Sequence, residues 1–372
     1  MTFIRNFSRI IVSLIFIFSG FVKGIDPLGT AYRIEDYFIA YGTEWAMPLA
    51  LFLSVSLSAL EFLLGVILVL NVRIRFFSWP LFLLVIFFIF LTLYDAVYEP
   101  VPDCGCFGDV FTISNWNTFY KNVILIIFVS IIFVNRKNFR SPFSIKAQNA
   151  IGFAFASIFV IFSVYNYQHL PIIDFREWKT GNDMVPEEQG SAKIYLTFRN
   201  MESGETKEYL SPDYPWKDSI WMENWEFVDQ RIDESALING HELMIEDEEG
   251  LDVTENFINN PNFQMLLIAY DLGSTDEESF KDIEKLFKQG ELDGCSLIIV
   301  TSSLPEDVKE FRKNLDPNIE FYYADDAVLK TMIRANPGLM LMKDAVVMGK
   351  WHFNDLPSYE QLKIDYLHVI HD

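Results

Sequence analysis

Cys104 and Cys106 stand one residue apart in the loop Asp103-Cys104-Gly105-Cys106-Phe107-Gly108-Asp109, and they are two of just three cysteines in a chain of 372 residues. Two thiols at this spacing can exchange a disulfide, hold one permanently, or supply half of a metal site. In an extended chain the Cα atoms of such a pair lie about 6–7 Å apart, near the upper limit that a disulfide accepts. Closure therefore needs a tight turn, which Gly105 permits. A bond closed that way is expected to be strained, and strain raises the reduction potential, which suits a disulfide that is passed on. Asp103 and Asp109 flank the pair, and their charge favours thiol over thiolate, so an unusually acidic nucleophile is not expected. A static disulfide that pins the loop is the competing reading. A metal is not expected, because the five histidines, at 169, 241, 352, 368 and 371, all lie in the second half without ligand-type spacing.

The elements that must position this loop are hydrophobic. Five stretches have the length and apolarity of membrane helices: Phe7 to Val22, Met47 to Leu70, Phe76 to Leu93, Phe119 to Val134 and Ile151 to Val164. Arg5 and Arg9 precede the first, Arg73 and Arg75 separate the second and third, and Arg136, Lys137, Arg140 and Lys146 separate the fourth and fifth. If every stretch crosses, all three basic clusters fall on one side. By the positive-inside rule that side is the cytoplasm, which puts the cysteine loop and everything after the fifth helix in the periplasm of a bacterial inner membrane. A cleaved signal peptide is the rival reading of the first stretch, but no clear small-residue cleavage box follows Phe18.

Charge divides the chain at the same place. Residues 1–166 hold 11 lysines and arginines against 9 aspartates and glutamates, whereas residues 167–372 hold 18 against 42. The second half reads as a soluble acidic region, a poor match for nucleic acid or an anionic lipid surface. Between the first two spans, apolar residues at 34, 37, 38, 41 and 45 predict a short interfacial helix, or a lid over the outer end of the bundle. Glu61 is the clearest ionisable group inside a span, with Ser58 one turn back as its nearest polar neighbour in sequence. A carboxylate there must be neutral or paired, so Glu61 is either a proton carrier or quinone-site group, or a structural hydrogen-bonding residue. Lys23 and Asp95 fall near helix ends, where they are expected to reach water or to form a helix-end ion pair.

Ser19-Gly20-Phe21-Val22-Lys23 with Asp26-Pro27, Glu61 before Gly65, and Cys104-Gly105-Cys106-Phe107-Gly108 together resemble the DoxX-like membrane proteins, especially the MauE (methylamine utilisation) branch, over roughly residues 1–140. The resemblance implies a four-helix membrane domain associated with periplasmic thiol and sulfur redox work. That work includes disulfide formation in a partner enzyme and, in the DoxD branch, quinone-linked thiosulfate oxidation.

A fifth helix and linker are expected over 141–189 and a β-rich region over 190–258. From 259 to 372, strand and helix alternate: Met265–Tyr270, Asp276–Lys288, Ser296–Val300, Glu306–Asn314, Glu320–Tyr323, Asp326–Arg334, then strands Leu339–Met342 and Ala345–Gly349. The run Asn336-Pro337-Gly338 resembles the thioredoxin fold where a proline, typically cis, opens the last β-hairpin. This resemblance implies an α/β thioredoxin-like domain in which Pro337 and Asn336 dock a peptide or partner. Where that fold carries its cysteine pair the chain reads Asp271-Leu272-Gly273-Ser274-Thr275-Asp276, so dithiol exchange there is excluded. Cys295 opens a core strand and reads as a buried, inert thiol. The combined expectation is an α-helical membrane bundle followed by this domain. Its Cys104/Cys106 pair would exchange disulfides with a periplasmic thiol protein, and a quinone would be the acceptor if electrons continue onward. The alternative is a non-enzymatic scaffold or assembly factor.

Overall fold

The computed structural model describes residues 2–101, 105–184, 193–201, 203–211, 213–215, 218–233, 243–275, 277–291, 294–315 and 319–367. Its N-terminal part is built from α1 (Thr2–Ile25), α2 (Pro27–Ala40), α3 (Ala50–Leu70), α4 (Ile74–Tyr98), α5 (Asn115–Val134) and α6 (Ile145–Gln168). Five helices are long and apolar enough to cross a membrane: α1, α4, α5, α6 and the helical run Glu44–Leu70 that contains α3. All five contain the stretches expected from sequence and extend past them, and at α5 and α6 a polar cap starts the helix ahead of its apolar run. Ser114 and Ser144 accept hydrogen bonds from the Asn117 and Ala147 amides at the starts of α5 and α6.

Side-chain size sets the packing. A Cβ on Gly20 would lie 2.5 Å from the Phe62 nitrogen and 2.7 Å from the Ser58 oxygen, and one on Gly65 would lie 2.7 Å from the Ile17 nitrogen. These two glycines let the α1 and α3 backbones approach closely, the usual device where lipid removes the hydrophobic drive between helices. Val12 and Phe16 of α1 then share a buried core with Leu64, Leu81, Val85 and Val129. Hydroxyls within the helices return to carbonyls one turn back, as in Ser13 to Arg9 and Thr92 to Phe88, so these buried polar atoms need no water. α6 packs on α3 and α1, with the Phe159 ring 4.7 Å from that of Phe62. Outward-facing Phe52, Phe87, Phe90 and Phe153 are exposed, as lipid contact requires.

The basic clusters gather at one end of this bundle. Arg5 lies over the Phe139 ring, Arg136 over Phe133 and Trp79, and the Asn71 amide donates to the Arg140 carbonyl. At the opposite end sit α2, the segment 105–114 and the C-terminal region.

That region begins with an antiparallel sheet in the order β2 (Thr206–Leu210), β1 (Lys193–Asn200), β3 (Trp225–Asp233), with α7 (Ser219–Asn224) leading into β3. After α8 (Thr254–Ile258) come β4 (Gln264–Ile268), α9 (Glu277–Gly290), β5 (Ser296–Thr301), α10 (Pro305–Phe311), β6 (Glu320–Tyr323), α11 (Asp326–Met332), β7 (Gly338–Lys343), β8 (Val346–His352) and α12 (Tyr359–Leu362). The five strands order as β6-β5-β4-β7-β8, parallel across β6, β5 and β4 and antiparallel across β4, β7 and β8. Alternate residues of the central strands feed two cores. Leu266, Ile268, Ile298 and Met340 face Leu329 and Met332 of α11, whereas Met265, Leu267, Ile299 and Leu341 face Phe280 and Ile283 of α9. A sheet covered on both faces explains why β4 is buried along its whole length rather than alternating.

Several boundaries differ from expectation by a few residues, among them the limits of two helices. Asp276, taken as the start of a helix, lies outside the described residues, and the helix is Glu277–Gly290. α11 stops at Met332 rather than Arg334, because the chain must turn extended at Ile333 to enter the Asn336–Pro337 turn. That early stop releases Arg334 from the helix.

Candidate functional site

The Gly20 and Gly65 contacts bring α1 and α3 together at Lys23 and Glu61. Lys23 Nζ lies 2.9 Å from both Glu61 oxygens, and the two residues are 5% and 2% exposed. Of the two arrangements expected for Lys23, the structure shows the ion pair: its ammonium is turned inward onto a carboxylate rather than out to water. Ser58 is not the partner of Glu61, since its hydroxyl donates to the Ser54 carbonyl within α3. Ser19 is the partner instead, with Oγ 2.8 Å from Glu61 Oε2. Desolvating both charges is expensive, and a bidentate contact plus a hydroxyl is the arrangement that offsets it.

The same Ser19 hydroxyl lies 2.9 Å from the Cys106 carbonyl oxygen, so its one proton is shared between the loop backbone and Glu61. Gly105 has φ +59°, and the Gly108 amide closes a turn on the Gly105 carbonyl at 3.1 Å. A Cβ at Gly105 would sit 3.0 Å from Arg33 Cγ, so α2 packs directly on the cysteine loop. Phe107 rests against Phe18, and Lys121 Nζ lies 4.4 Å over its ring. Cys106 is half-buried and borders a cavity of about 30 Å³ with Ser19, Lys23, Glu61, Lys121 and Asn122, enough for a water-sized group. Cys104 and Asp103 lie outside the described residues.

Asp95 is likewise buried rather than at water, and it accepts a 2.7 Å hydrogen bond from the Tyr37 hydroxyl of α2. It belongs to the docking of α2.

Across the bundle end, the Asn336–Pro337 peptide bond is cis and leads into the β7–β8 hairpin. Asn336 Nδ2 donates to the Asp271 carbonyl at 2.7 Å and to Ser274 Oγ at 3.1 Å, tying the turn to the loop after β4. Arg334, two residues earlier, was not anticipated from the sequence. It is buried, with Nε 2.9 Å from Asp26 Oδ2, Nη2 2.8 Å from Asp109 Oδ2, and Nη1 on the Lys330 carbonyl. Burial disfavours its charge, but Asp26 and Asp109 outweigh burial and hold the guanidinium protonated above its ordinary range. Burial also pushes Asp26 up, yet Arg334, Arg176 and the Gly29 amide leave it below the usual carboxylate value. Asp109 stays raised, because burial and the neighbouring Asp26 exceed the pull of Arg334. The Tyr32 and Tyr270 hydroxyls meet at 3.0 Å beside this cluster. Cys295 is buried in the sheet core.

The site so described joins α1, α2, α3 and the segment after Cys104, which are the parts that carry the family likeness.

Residues 1–135 match the family model of the methylamine utilisation protein MauE.

The match covers the four helices α1, α3, α4 and α5 together with α2 and the cysteine loop, and it ends before α6. Within the matched segment lie Lys23, Asp26, Glu61 and Cys106, whereas Arg334 lies beyond it. The chain matches no curated protein and no solved structure.

Proposed function

We propose that this protein is a membrane component of a thiol/disulfide redox system in which Cys104 and Cys106 exchange a disulfide with a partner thiol protein. The observation that carries the reading is the seat of the cysteine loop. Cys106 is hydrogen-bonded through Ser19 to a carboxylate buried within the bundle and paired with Lys23. In one turnover a partner thiolate attacks the Cys104–Cys106 disulfide to form a mixed disulfide, and the partner's second thiol resolves it. The partner loses two electrons and Cys104 and Cys106 become thiols. Their return to a disulfide would release two electrons and two protons, and if these continue onward a membrane quinone would be the acceptor. Glu61, exchanging partners between Lys23 and Ser19, is the group that passes the coupled protons.

The orientation belongs to the same reading. The end that gathers Arg5, Arg73, Arg136 and Arg140 faces the cytoplasm by the positive-inside rule, which sets the loop and the C-terminal region in the periplasm of an inner membrane. The MauE match supports an accessory role in methylamine utilisation. A thioredoxin-like C-terminal domain is supported by the mixed five-stranded sheet and the cis peptide before Pro337. Its loop 271–275 carries no cysteine, so this domain docks a partner rather than exchanging disulfides itself.

Alkylation mass-shift trapping of Cys104 and Cys106 in intact membranes tests the proposal. The pair should move between dithiol and disulfide when a quinone reductant or a reduced thiol protein is added. A pair locked in one state under every condition would overturn it, leaving a membrane-tethered binding protein.

A further inference from the structure

We infer that Arg334 is a positioning residue through which the C-terminal domain sets the exposure of the cysteine loop. The inference rests on the proposed function only in taking Cys106 as a reacting group.

A single guanidinium joins three parts of the molecule. Its Nε serves Asp26, which caps the start of α2 by accepting the Gly29 amide and lies three residues after Lys23. Its Nη2 serves Asp109, three residues after Cys106. Its own backbone leads into the cis Asn336–Pro337 turn of the five-stranded sheet. Asp26 and Asp109 repel one another, so their approach depends on the cation between them. α2 completes the layer. Tyr32 points at the C-terminal domain, touching the Tyr270 hydroxyl with Arg334 and Lys330 over its ring at 5.2 and 4.8 Å. The next residue, Arg33, lays its aliphatic stem on Gly105. The C-terminal domain therefore presses α2 onto the cysteine loop while Arg334 holds the far end of that loop. With the clasp closed, the Cys106 carbonyl stays on Ser19; with it open, the loop loses its Asp109 anchor and Cys106 becomes more accessible.

Simple adhesion between domains would change overall stability and leave the reactivity of one thiol alone, so the test reads that thiol. Reduced full-length protein in native membranes is treated with a bulky maleimide, and labelling of each cysteine is followed by peptide-resolved mass spectrometry. Arg334→Gln and Asp109→Asn should each raise the labelling rate of Cys106 about tenfold, the factor carried by one charge-assisted bond. Arg334→Lys, a point charge in place of a fork, should fall between wild type and Arg334→Gln. The double variant R334Q/D109N should be no faster than the faster single variant, because both break one clasp. Cys295 reports folding of the sheet and should remain unlabelled. Wild-type rates in both single variants, or increments that multiply in the double, would overturn the inference. Should Cys295 become reactive in R334Q, D109N decides, since it leaves the C-terminal domain intact. The two readings separate cleanly. A pair that never cycles but whose labelling follows Arg334 leaves this inference standing, whereas a cycling pair indifferent to Arg334 and Asp109 removes it and keeps the redox proposal.

Discussion

Replacing Lys23 by methionine strands the Glu61 carboxylate in the bundle with Ser19 as its one remaining partner among the described residues. Removing one member of a buried ion pair costs about 3–5 kcal/mol, because the other charge stays desolvated without compensation. For a unit of this size each kcal/mol moves the midpoint of thermal unfolding by about 2–4 °C, so K23M should melt roughly 6–20 °C below wild type. Glu61→Leu alone removes the carboxylate from a buried ammonium and should also lower the midpoint. The double variant K23M/E61L removes both charges and fills the space with apolar atoms, which is often neutral, and should melt close to wild type. Ser19 then keeps the Cys106 carbonyl as its acceptor, so no hydroxyl is orphaned. The assay is the loss of helical circular dichroism on heating the detergent-solubilised full-length protein. Single variants within about 2 °C of wild type, or a double variant whose loss equals the sum of the singles, would refute the claim that the two charges are buried against each other.

Gly20→Ala tests the seam that makes the pair possible. Helix propensity favours alanine by about 1 kcal/mol, but the new methyl would meet the α3 backbone at 2.5 Å, and an overpacking cost of about 1–3 kcal/mol should win. A lower melting midpoint is expected, and a higher one would show that α1 and α3 are not in close contact. His352 predicts a pH dependence of the C-terminal domain. Burial pushes its imidazole down to about 4, and its Nδ1 accepts the Asn354 amide, which requires an unprotonated nitrogen. Between about pH 6.5 and 4 the unfolded chain binds the proton that the folded one refuses, so stability should fall as pH drops through that window. Urea titrations at pH 7 and 4.5 should show this loss, and His352→Gln, which retains an acceptor, should flatten it.

Much of this architecture was legible because the physics is local. Long apolar runs specify spans whatever surrounds them, basic loops mark one side, and alternating strand and helix patterns in a region of 18 lysines and arginines against 42 acidic residues specify a separate α/β unit. Pro337 at the start of the β7–β8 hairpin came instead from a resemblance between sequence runs, not from periodicity. What the sequence could not determine is which charges meet. Lys23 is 38 residues from Glu61, and Arg334 is 308 from Asp26 and 225 from Asp109. No periodicity links such positions, and taken singly each end-of-helix charge is satisfied on paper by water. Hints were present in Ser19, Gly20 and Gly65, small residues within a turn of the charges, which signal that two helices approach closely there but not which two. Helix packing decided that Lys23 turns inward, and the early end of α11 decided that Arg334 reaches the bundle. In a desolvated setting a charge goes wherever the fold supplies its counter-charge, and that is a property of the assembled chain.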